Sequence, residues 1–252
     1  MLLQLGLGII ALLANLLSGL AGGGAGLIQL PALIFLGLPF PIALATHKIA
    51  SVALGAGAGL RHAKEKTLNS KLVLLLLISG LPGVWIGAKL VLTIPEQIAT
   101  TLLGFLTLII GLYSARKPEL GTKELRIKQS FRRWLIGAVV IFLIGVLNGS
   151  LTSGTGLFVT LWLVSWFGLS YTKAVAHTLI LVGLFWNGMG AMVLGINGEI
   201  NWSWLPSLIV GSILGGYLGA HFSLKKGSKL VKTSFEAISV LIGTSLLLRG
   251  II

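Results

Sequence analysis

Long uninterrupted apolar runs dominate the pattern of hydrophobic and polar positions along this chain. Five of them span residues 2–20, 72–91, 98–115, 174–194 and 204–221. An α-helix needs about 20 mostly apolar residues to cross about 30 Å of hydrocarbon, and each run approaches or meets that length. The first run lacks the basic start of a signal peptide, so we expect it to belong to the mature fold. The pattern predicts an all-α polytopic membrane protein.

Two further apolar pieces are too short to cross a membrane upright, and each follows a tract rich in glycine. The pieces span residues 27–38 and 157–167, and the tracts span residues 22–26 and 152–156. About 12 helical residues rise only about 18 Å, little more than half of the hydrocarbon thickness. Each piece is therefore predicted to be one arm of a re-entrant hairpin.

The same order of features occurs twice, about 130 residues apart, which indicates an internal repeat. Each half contains a glycine-rich hairpin and three further transmembrane helices, and hydropathy gives about eight spans in all. The matching positions are Ser18-Gly19 with Asn148-Gly149, Gly24-Ala25-Gly26-Leu27 with Gly154-Thr155-Gly156-Leu157, Gly37 with Gly168, Ala43-Leu44-Ala45-Thr46 with Ala174-Val175-Ala176-His177, Asn69 with Asn201, and Gly83 and Gly87 with Gly215 and Gly219.

Composition and charge agree with a membrane protein. Only 10% of the residues are charged and 55% are hydrophobic, whereas soluble domains carry about 25% charged residues. Most of the 19 basic residues fall in loops at 61–71, 116–133 and 225–232. Because Lys and Arg beside membrane spans mark the cytoplasmic side, these loops are expected to be cytoplasmic. The formal charge of +13 then needs no nucleic-acid partner.

The positions of the basic loops also predict the topology. Counting spans from them places residue 67 inside and the matching residue 199 outside. Equivalent points on opposite faces are typical of two inverted repeats. The predicted division is a first transmembrane repeat at 1–115, a basic cytoplasmic linker at 116–133 and a second transmembrane repeat at 134–252.

The glycine tracts are candidates for a binding site. Irregular backbone at membrane depth is tolerated only where it is buried in protein or lines a wet cavity. The helix after each tract presents its N-terminus to the tip, which favours an anion. The alternative is that these glycines only allow close helix packing. We prefer that alternative for Gly83, Gly87, Gly215 and Gly219, whose four-residue spacing forms a stripe.

Polar residues inside the apolar runs extend the candidate site. Thr46, His47 and Lys48 lie near the start of one run, and His177 and Thr178 occupy the matching place in the second half. Ionisable groups within spans are costly and usually functional. The alternatives are a hydrogen-bonded packing role for the histidines and, for Lys48 and Lys173, snorkelling to the headgroups. Snorkelling is favoured for Lys173.

The acidic residues and cysteines limit the chemistry. The chain has no Asp, no Cys and six Glu, of which only Glu236 could enter a span. We therefore expect no metal site, no cofactor and no side-chain redox chemistry. A sodium site normally needs a buried carboxylate, so coupling would have to use histidine and protons, protonation of the substrate, or the membrane potential.

The ordered motifs resemble the sulfite exporter TauE/SafE family of membrane permeases. The likeness lies in Gly19, Gly22-Gly23-Gly24-Ala25-Gly26, Pro31, Gly37-Leu38-Pro39, Ala43-Leu44-Ala45-Thr46 and Arg61-His62. It continues in a weaker second copy of these motifs, so that the resemblance covers essentially the whole chain. The resemblance implies transport of sulfite, sulfonates or other small organic anions, usually outward across a bacterial plasma membrane. The chain departs from the family pattern at Thr46-His47-Lys48, where a small Ser or Thr followed by apolar residues is usual.

The sequence therefore predicts a secondary transporter, not an enzyme, in the plasma membrane of a bacterium or archaeon. It is expected to export a small anion, either sulfite or an organosulfonate or other organic anion, by alternating access. The anion would bind between two hairpin tips near the bilayer midplane. A passive anion channel and an intramembrane enzyme are the alternatives. The partners are the anion and the bilayer, with protons and a homodimer left open. The candidate substrate-binding residues are Gly22, Gly23, Gly24, Ala25, Gly26, Gln29, Thr46, His47, Lys48, Asn148, Thr152, Ser153, Gly154, Thr155, Gly156, His177, Thr178 and Asn187.

Overall fold

The computed structural model describes residues 1–63, 65, 67–90, 96–151, 154–197 and 199–251. Within these ranges every regular element is a helix. In chain order the helices are α1 (Leu2–Ala21), α2 (Gly26–Phe35), α3 (Phe40–His62), α4 (Ser70–Leu90), α5 (Glu96–Ala115), α6 (Phe131–Leu151), α7 (Thr155–Phe167), α8 (Tyr171–His177), a π-helical segment (Thr178–Trp186), α9 (Asn187–Asn197) and α10 (Leu205–Ile251).

The described helices make this a multi-pass membrane protein. Six of them are long and apolar enough to cross a bilayer, and α8, the π-helical segment and α9 together count as one of the six. The two short pieces predicted from the sequence are the short helices α2 and α7. The prediction of an all-helical membrane fold is confirmed. The count of eight spans stays a prediction.

Helix α10 is too long for one crossing. Its 47 residues would extend about 70 Å as a straight helix, more than twice the hydrocarbon thickness. The backbone leaves the helical conformation at Gly227, where φ is 75° and ψ is −177°. Because glycine adopts a positive φ without steric cost, it can break the helix there. Each part of α10 is then about the length of one span.

Two pairs of helices pack through their glycines. A methyl group at Gly215 or Gly219 of α10 would collide with the main chain of α1, and one at Gly83 or Gly87 of α4 would collide with the main chain of α6. Inside a bilayer the hydrophobic effect does not drive helices together, so the close approach of the two main chains stabilises each helix pair through dispersion contacts. The packing role that we preferred for these four glycines agrees with the structure.

Helices α6 and α7 run back along each other. Arg133 in the first turn of α6 donates from Nε and Nη2 to the main-chain oxygen of Trp166, over 3.0 and 2.6 Å, and Trp166 Nε1 donates to the main-chain oxygen of Arg133. Trp166 is near the end of α7, so that end lies beside the beginning of α6. In the first half, Leu7 of α1 and Leu33 of α2 belong to one buried cluster.

The centre of the molecule is a close crossing of α3 and the π-helical segment. A methyl group at Gly55 would lie 2.6 Å from the main-chain nitrogen of Leu184, and one at Gly183 would lie 2.8 Å from Cα of Gly55. Trp186 is fully buried at the end of the segment, and its Nε1 donates to the main-chain oxygen of Leu76 over 3.0 Å. These contacts place the π-helical segment beside α3 and fix one wall of the site described next.

Candidate functional site

The first glycine tract ends α1 and begins α2. The main-chain nitrogens of Gly22 and Gly23 both donate to the oxygen of Ser18, over 2.8 and 3.1 Å, which closes the last turn of α1. Gly22, Gly23 and Gly24 have φ of 82°, 153° and 102°, a region that other residues rarely adopt. Helix α2 then begins at Gly26.

The second tract is partly described. Thr152 and Ser153, both predicted site residues, lie outside the described residues. Gly154 has φ of 77° and precedes α7, and the main-chain nitrogen of Leu157 donates to its oxygen over 2.9 Å. The side chain of Asn148, near the end of α6, donates from Nδ2 to Thr155 Oγ1 over 2.8 Å and so joins the two arms.

The two tracts touch each other inside the protein. A methyl group at Gly23 would lie 2.7 Å from the main-chain nitrogen of Leu157, and one at Gly156 would lie 2.9 Å from the oxygen of Gly22. Thr160 of α7 adds a polar contact, with Oγ1 3.1 Å from the oxygen of Gly22. The break of one half therefore lies directly against the break of the other.

A cavity of about 40 Å³ lies where the tracts meet. It is lined from four sides, by the end of α1 with the first tract, by α3, by the second tract with the end of α6, and by the π-helical segment with α9. Its lining residues are Ser18, Gly22, Gly23, Gly24, Ala25, Gly26, His47, Ser51, Leu54, Asn148, Thr155, Gly156, Thr178, Leu179, Val182, Gly183 and Asn187.

The side chains of His47 and Asn187 in this lining each have an atom without a hydrogen-bond partner among the described residues. His47 is 1% exposed, its Nε2 lies 3.2 Å from Ser51 Oγ, and its Nδ1 has no partner among the described residues. Asn187 is 7% exposed, and its side-chain oxygen also lacks a partner there. Buried polar groups are normally hydrogen-bonded, so both side chains indicate a position at which a bound molecule would complete the bonding.

Lys48 lies directly behind this lining. It is fully buried, and its Nζ donates to the main-chain oxygen of Asn148 over 2.9 Å. Among the described side chains, the ion-paired carboxylates bind other cations, because Glu65, Glu124 and Glu236 pair with Arg61, Lys173 and Lys232. Because it is fully buried, Lys48 does not snorkel to the headgroups. No described carboxylate forms an ion pair with it.

Lys173 of α8, the intramembrane lysine predicted in the second half, differs from Lys48 in its surroundings. Its side chain is 46% exposed and its Nζ lies 2.8 Å from the carboxylate of Glu124 in the linker. An exposed ion pair of this kind contributes little to stability. Lys173 is thus ion-paired outside the lining of the cavity, and its snorkelling to the headgroups stays a prediction.

Three predicted site residues are occupied elsewhere. Gln29 accepts a hydrogen bond from Asn15 over 3.3 Å in a contact between helices. Thr46 Oγ1 accepts from the main-chain nitrogen of Asn201 over 3.0 Å. His177 accepts at Nε2 from the main-chain nitrogen of Asn69 and donates from Nδ1 to the oxygen of Lys173, so both ring nitrogens are used. Neither these three residues nor Gly154 lines the cavity.

The cavity also includes residues that the sequence analysis did not select. They are Ser18, Ser51, Leu54, Leu179, Val182 and Gly183. Ser51 lies one helical turn after His47, so its position on the same face of α3 could have been inferred. The apolar members carry no chemical signal that would distinguish them from ordinary packing residues.

Comparison with known proteins places the chain in a family. The sequence model of the family "Sulfite exporter TauE/SafE" matches residues 7–246. A "Probable membrane transporter protein" of Haemophilus influenzae is 32% identical, over 88% of this chain and 86% of that protein. The "Probable membrane transporter protein YfcA" of Escherichia coli K12 is 28% identical, over 94% and 87%. No solved structure matches. Because the family model matches nearly the whole chain, this protein belongs to the sulfite exporter TauE/SafE family.

Proposed function

We propose that this protein is a secondary transporter that exports a small anion, sulfite or an organosulfonate, by alternating access. The observation that carries the proposal is a small cavity at the meeting point of two glycine breaks, with a histidine nitrogen in its lining that has no described partner and a buried lysine behind it. The family's name and the names of the relatives support membrane transport.

The charge around the cavity supports an anionic substrate. A buried cation without a counter-ion is costly, and Lys48 has only the main-chain oxygen of Asn148 as its described partner. Helices α2 and α7 begin at the cavity with Gly26 and Thr155, so the positive ends of both helix dipoles are directed toward it. An anion in the cavity would offset the cost of burying Lys48.

The polar groups of the lining support an oxyanion in particular. When the hydroxyl of Ser51 donates to Nε2 of His47, the proton of the neutral imidazole is on Nδ1, the nitrogen without a partner. That N–H is then a donor for a substrate oxygen. Rotation of the Asn187 side-chain amide by about 180° exchanges its oxygen and nitrogen. In that orientation the NH₂ group is a second donor for the substrate. Thr178 adds a hydroxyl.

The size of the cavity supports a compact substrate. One water molecule needs about 10–15 Å³ of such space, so a cavity of about 40 Å³ accommodates a group of about three to four water-sized atoms. Three oxygens around one sulfur, as in sulfite or the head of a sulfonate, fit this size. A large solute would fit only after the lining separates.

We further infer that the two halves are structural repeats related by a two-fold axis. The glycine contacts support this atom by atom. A methyl group at Gly215 would meet the oxygen of Leu12 and the nitrogen of Leu16, and one at Gly83 would meet the oxygen of Phe142 and the nitrogen of Val146. Leu12 and Leu16 correspond to Phe142 and Val146 in the sequence repeat, as Gly215 corresponds to Gly83. The first helix of each half therefore packs against the glycine stripe of the other half.

The loops between helices support the same relation. The main-chain nitrogen of Asn69 donates to His177, and the main-chain nitrogen of Asn201 donates to Thr46. Asn69 matches Asn201 and His177 matches Thr46 in the sequence repeat. If α6 and α7 form a re-entrant hairpin, as the contact between Arg133 and Trp166 supports, three crossings separate Asn69 from Asn201. An odd number places the two loops on opposite faces, as an inverted repeat requires.

Transport of labelled sulfite into proteoliposomes tests the proposal. We expect saturable uptake that is accelerated by unlabelled sulfite or methanesulfonate on the opposite side, because exchange requires a carrier that reorients with its substrate. Protein-free liposomes are the control. A passive channel would give uptake that does not saturate and is not accelerated by exchange. Absence of any flux across a panel of sulfur and carboxylate anions would contradict the proposal.

A further inference from the structure

A second cavity lies directly beside the first one, between the α1–α2 hairpin and the C-terminal part of α10. Its volume is about 270 Å³. Ser18, Gly23 and Gly24 line both cavities. The first glycine tract is thus a shared wall, with the small polar cavity on one side and the larger cavity on the other.

The chemistry of the second cavity differs from that of the first. Its lining is mostly aliphatic and includes Leu27, Ile242 and Leu246, with Ser18 and Ser245 as the polar residues among those described. An apolar cavity of about 150 Å³ is enough to hold benzene, so this one has room for a hydrocarbon group of greater size. None of the described residues that line it is charged.

We propose that the second cavity binds the hydrocarbon tail of an amphiphilic anion whose head occupies the first cavity. This inference rests on the proposed function and specifies its substrate as an organosulfonate with an aliphatic chain. The polar cavity is large enough only for a charged head, and of the three residues that line both cavities only Ser18 has a side chain, a small hydroxymethyl group. Leu17, Ile28 and Leu241 are partly exposed around the second cavity, so the tail can enter from the side of the bilayer.

The test is calorimetric binding of sodium alkane-1-sulfonates, from methanesulfonate to hexanesulfonate, to the protein in lipid nanodiscs, with protein-free nanodiscs subtracted. We expect Kd to fall up to about fourfold with each added methylene, which is the hydrophobic gain for a fully buried methylene. Ser245→Phe fills the cavity and is expected to remove this dependence. Thr244→Phe is the matched control, since Thr244 is exposed on the same helix and outside the lining.

The outcomes separate this inference from the proposed function. If sulfite and methanesulfonate bind but longer chains bind no tighter, the tail site is wrong and the anion site stands. If neither short anion binds, the proposed function fails as well. Alkyltrimethylammonium ions with the same chain-length dependence would show that the cavity accepts any hydrocarbon, such as a lipid chain, and would overturn the inference. Leu27→Ala, which enlarges the cavity, is a second variant and should extend the gain to longer chains.

Discussion

Lys48 and Asn148 connect the two halves of the chain through a hydrogen bond of 2.9 Å from Nζ to the main-chain oxygen. Lys48 belongs to α3, and Asn148 lies near the end of α6, where its side chain binds the first residue of α7. The Lys48 side chain therefore holds the end of α6 and at the same time raises the electrostatic potential at the cavity. Replacement of Lys48 should separate these two effects.

Lys48→Met is expected to weaken anion binding without unfolding the protein. It removes the positive charge but keeps most of the side-chain volume, and replacing a buried charge by an apolar group of similar size is often neutral or stabilising. We expect KM for sulfite to rise about tenfold or more, since about 1.4 kcal/mol of lost attraction corresponds to a factor of ten. Uptake kinetics in proteoliposomes and thermal unfolding of the same preparation measure the two effects.

Lys173→Met is the matched control for Lys48. It removes a lysine of equal charge whose ion pair with Glu124 is exposed, so KM should stay near the wild-type value. Equal KM values for Lys48→Met and the wild-type protein would show that Lys48 does not contribute to anion binding.

Gly23→Ala is expected to separate the two hairpin tips. Its methyl group would lie 2.7 Å from the main-chain nitrogen of Leu157, and main chain cannot yield as a flexible side chain can. We expect loss of sulfite transport together with a lower unfolding temperature. Gly37→Ala provides the comparison, because Gly37 also has a positive φ, of 103°, but a methyl group there has no neighbour within 4 Å.

Both alanine variants carry the cost of a sparsely populated backbone conformation, about 1–3 kcal/mol, but only Gly23→Ala adds a collision with the main chain. Gly37→Ala should therefore lose some stability and keep its transport rate. Transport by Gly23→Ala at the wild-type rate would mean that the contact between the tips is not needed.

His47→Ala and His177→Ala are expected to fail in different ways. His47 lines the cavity with an unpartnered nitrogen, so its loss should raise KM with little change in unfolding temperature. His177 binds main-chain groups through both nitrogens, and its loss leaves the N–H of Asn69 without an acceptor, at a cost of about 1–3 kcal/mol. Kinetics and thermal unfolding of both variants distinguish the roles, and identical profiles would contradict the assignment.

The sequence predicts the helices and the breaks well because the membrane restricts both. Apolar length indicates each crossing, and glycine readily adopts the backbone of the first tract, so α1 and α7 begin and end within two residues of their predicted bounds. Helix α2 begins one residue before its predicted start and ends three residues before its predicted end. The position of His177 was not predictable in the same way. Its partner Asn69 lies 108 positions earlier, and nothing in the local pattern indicates that contact.

The π-helical segment explains why some residues of the cavity lining were not predicted from the sequence. Thr178 and Asn187 are nine positions apart, which is about 2.5 turns of an α-helix and would put them on opposite faces. The wider π-helical turn between them allows both to line one cavity with Val182 and Gly183. An apolar sequence carries no mark of this change in pitch, so Val182 and Gly183 could be found only in the structure.

Cysteine labelling tests the inverted arrangement on which the anion site depends. The chain has no cysteine, so single substitutions can be labelled without background. Leu68 and Glu199 are exposed at matching loops, and Lys123 is exposed in the basic linker. With an impermeant maleimide on intact cells, Glu199→Cys should react, whereas Leu68→Cys and Lys123→Cys should react only after the membrane is opened. In the proposed arrangement three crossings separate the two loops and put them on opposite sides, so labelling of Leu68→Cys and Glu199→Cys from the same side would contradict the inverted repeat. The two proposed hairpins would then enter the membrane from one face.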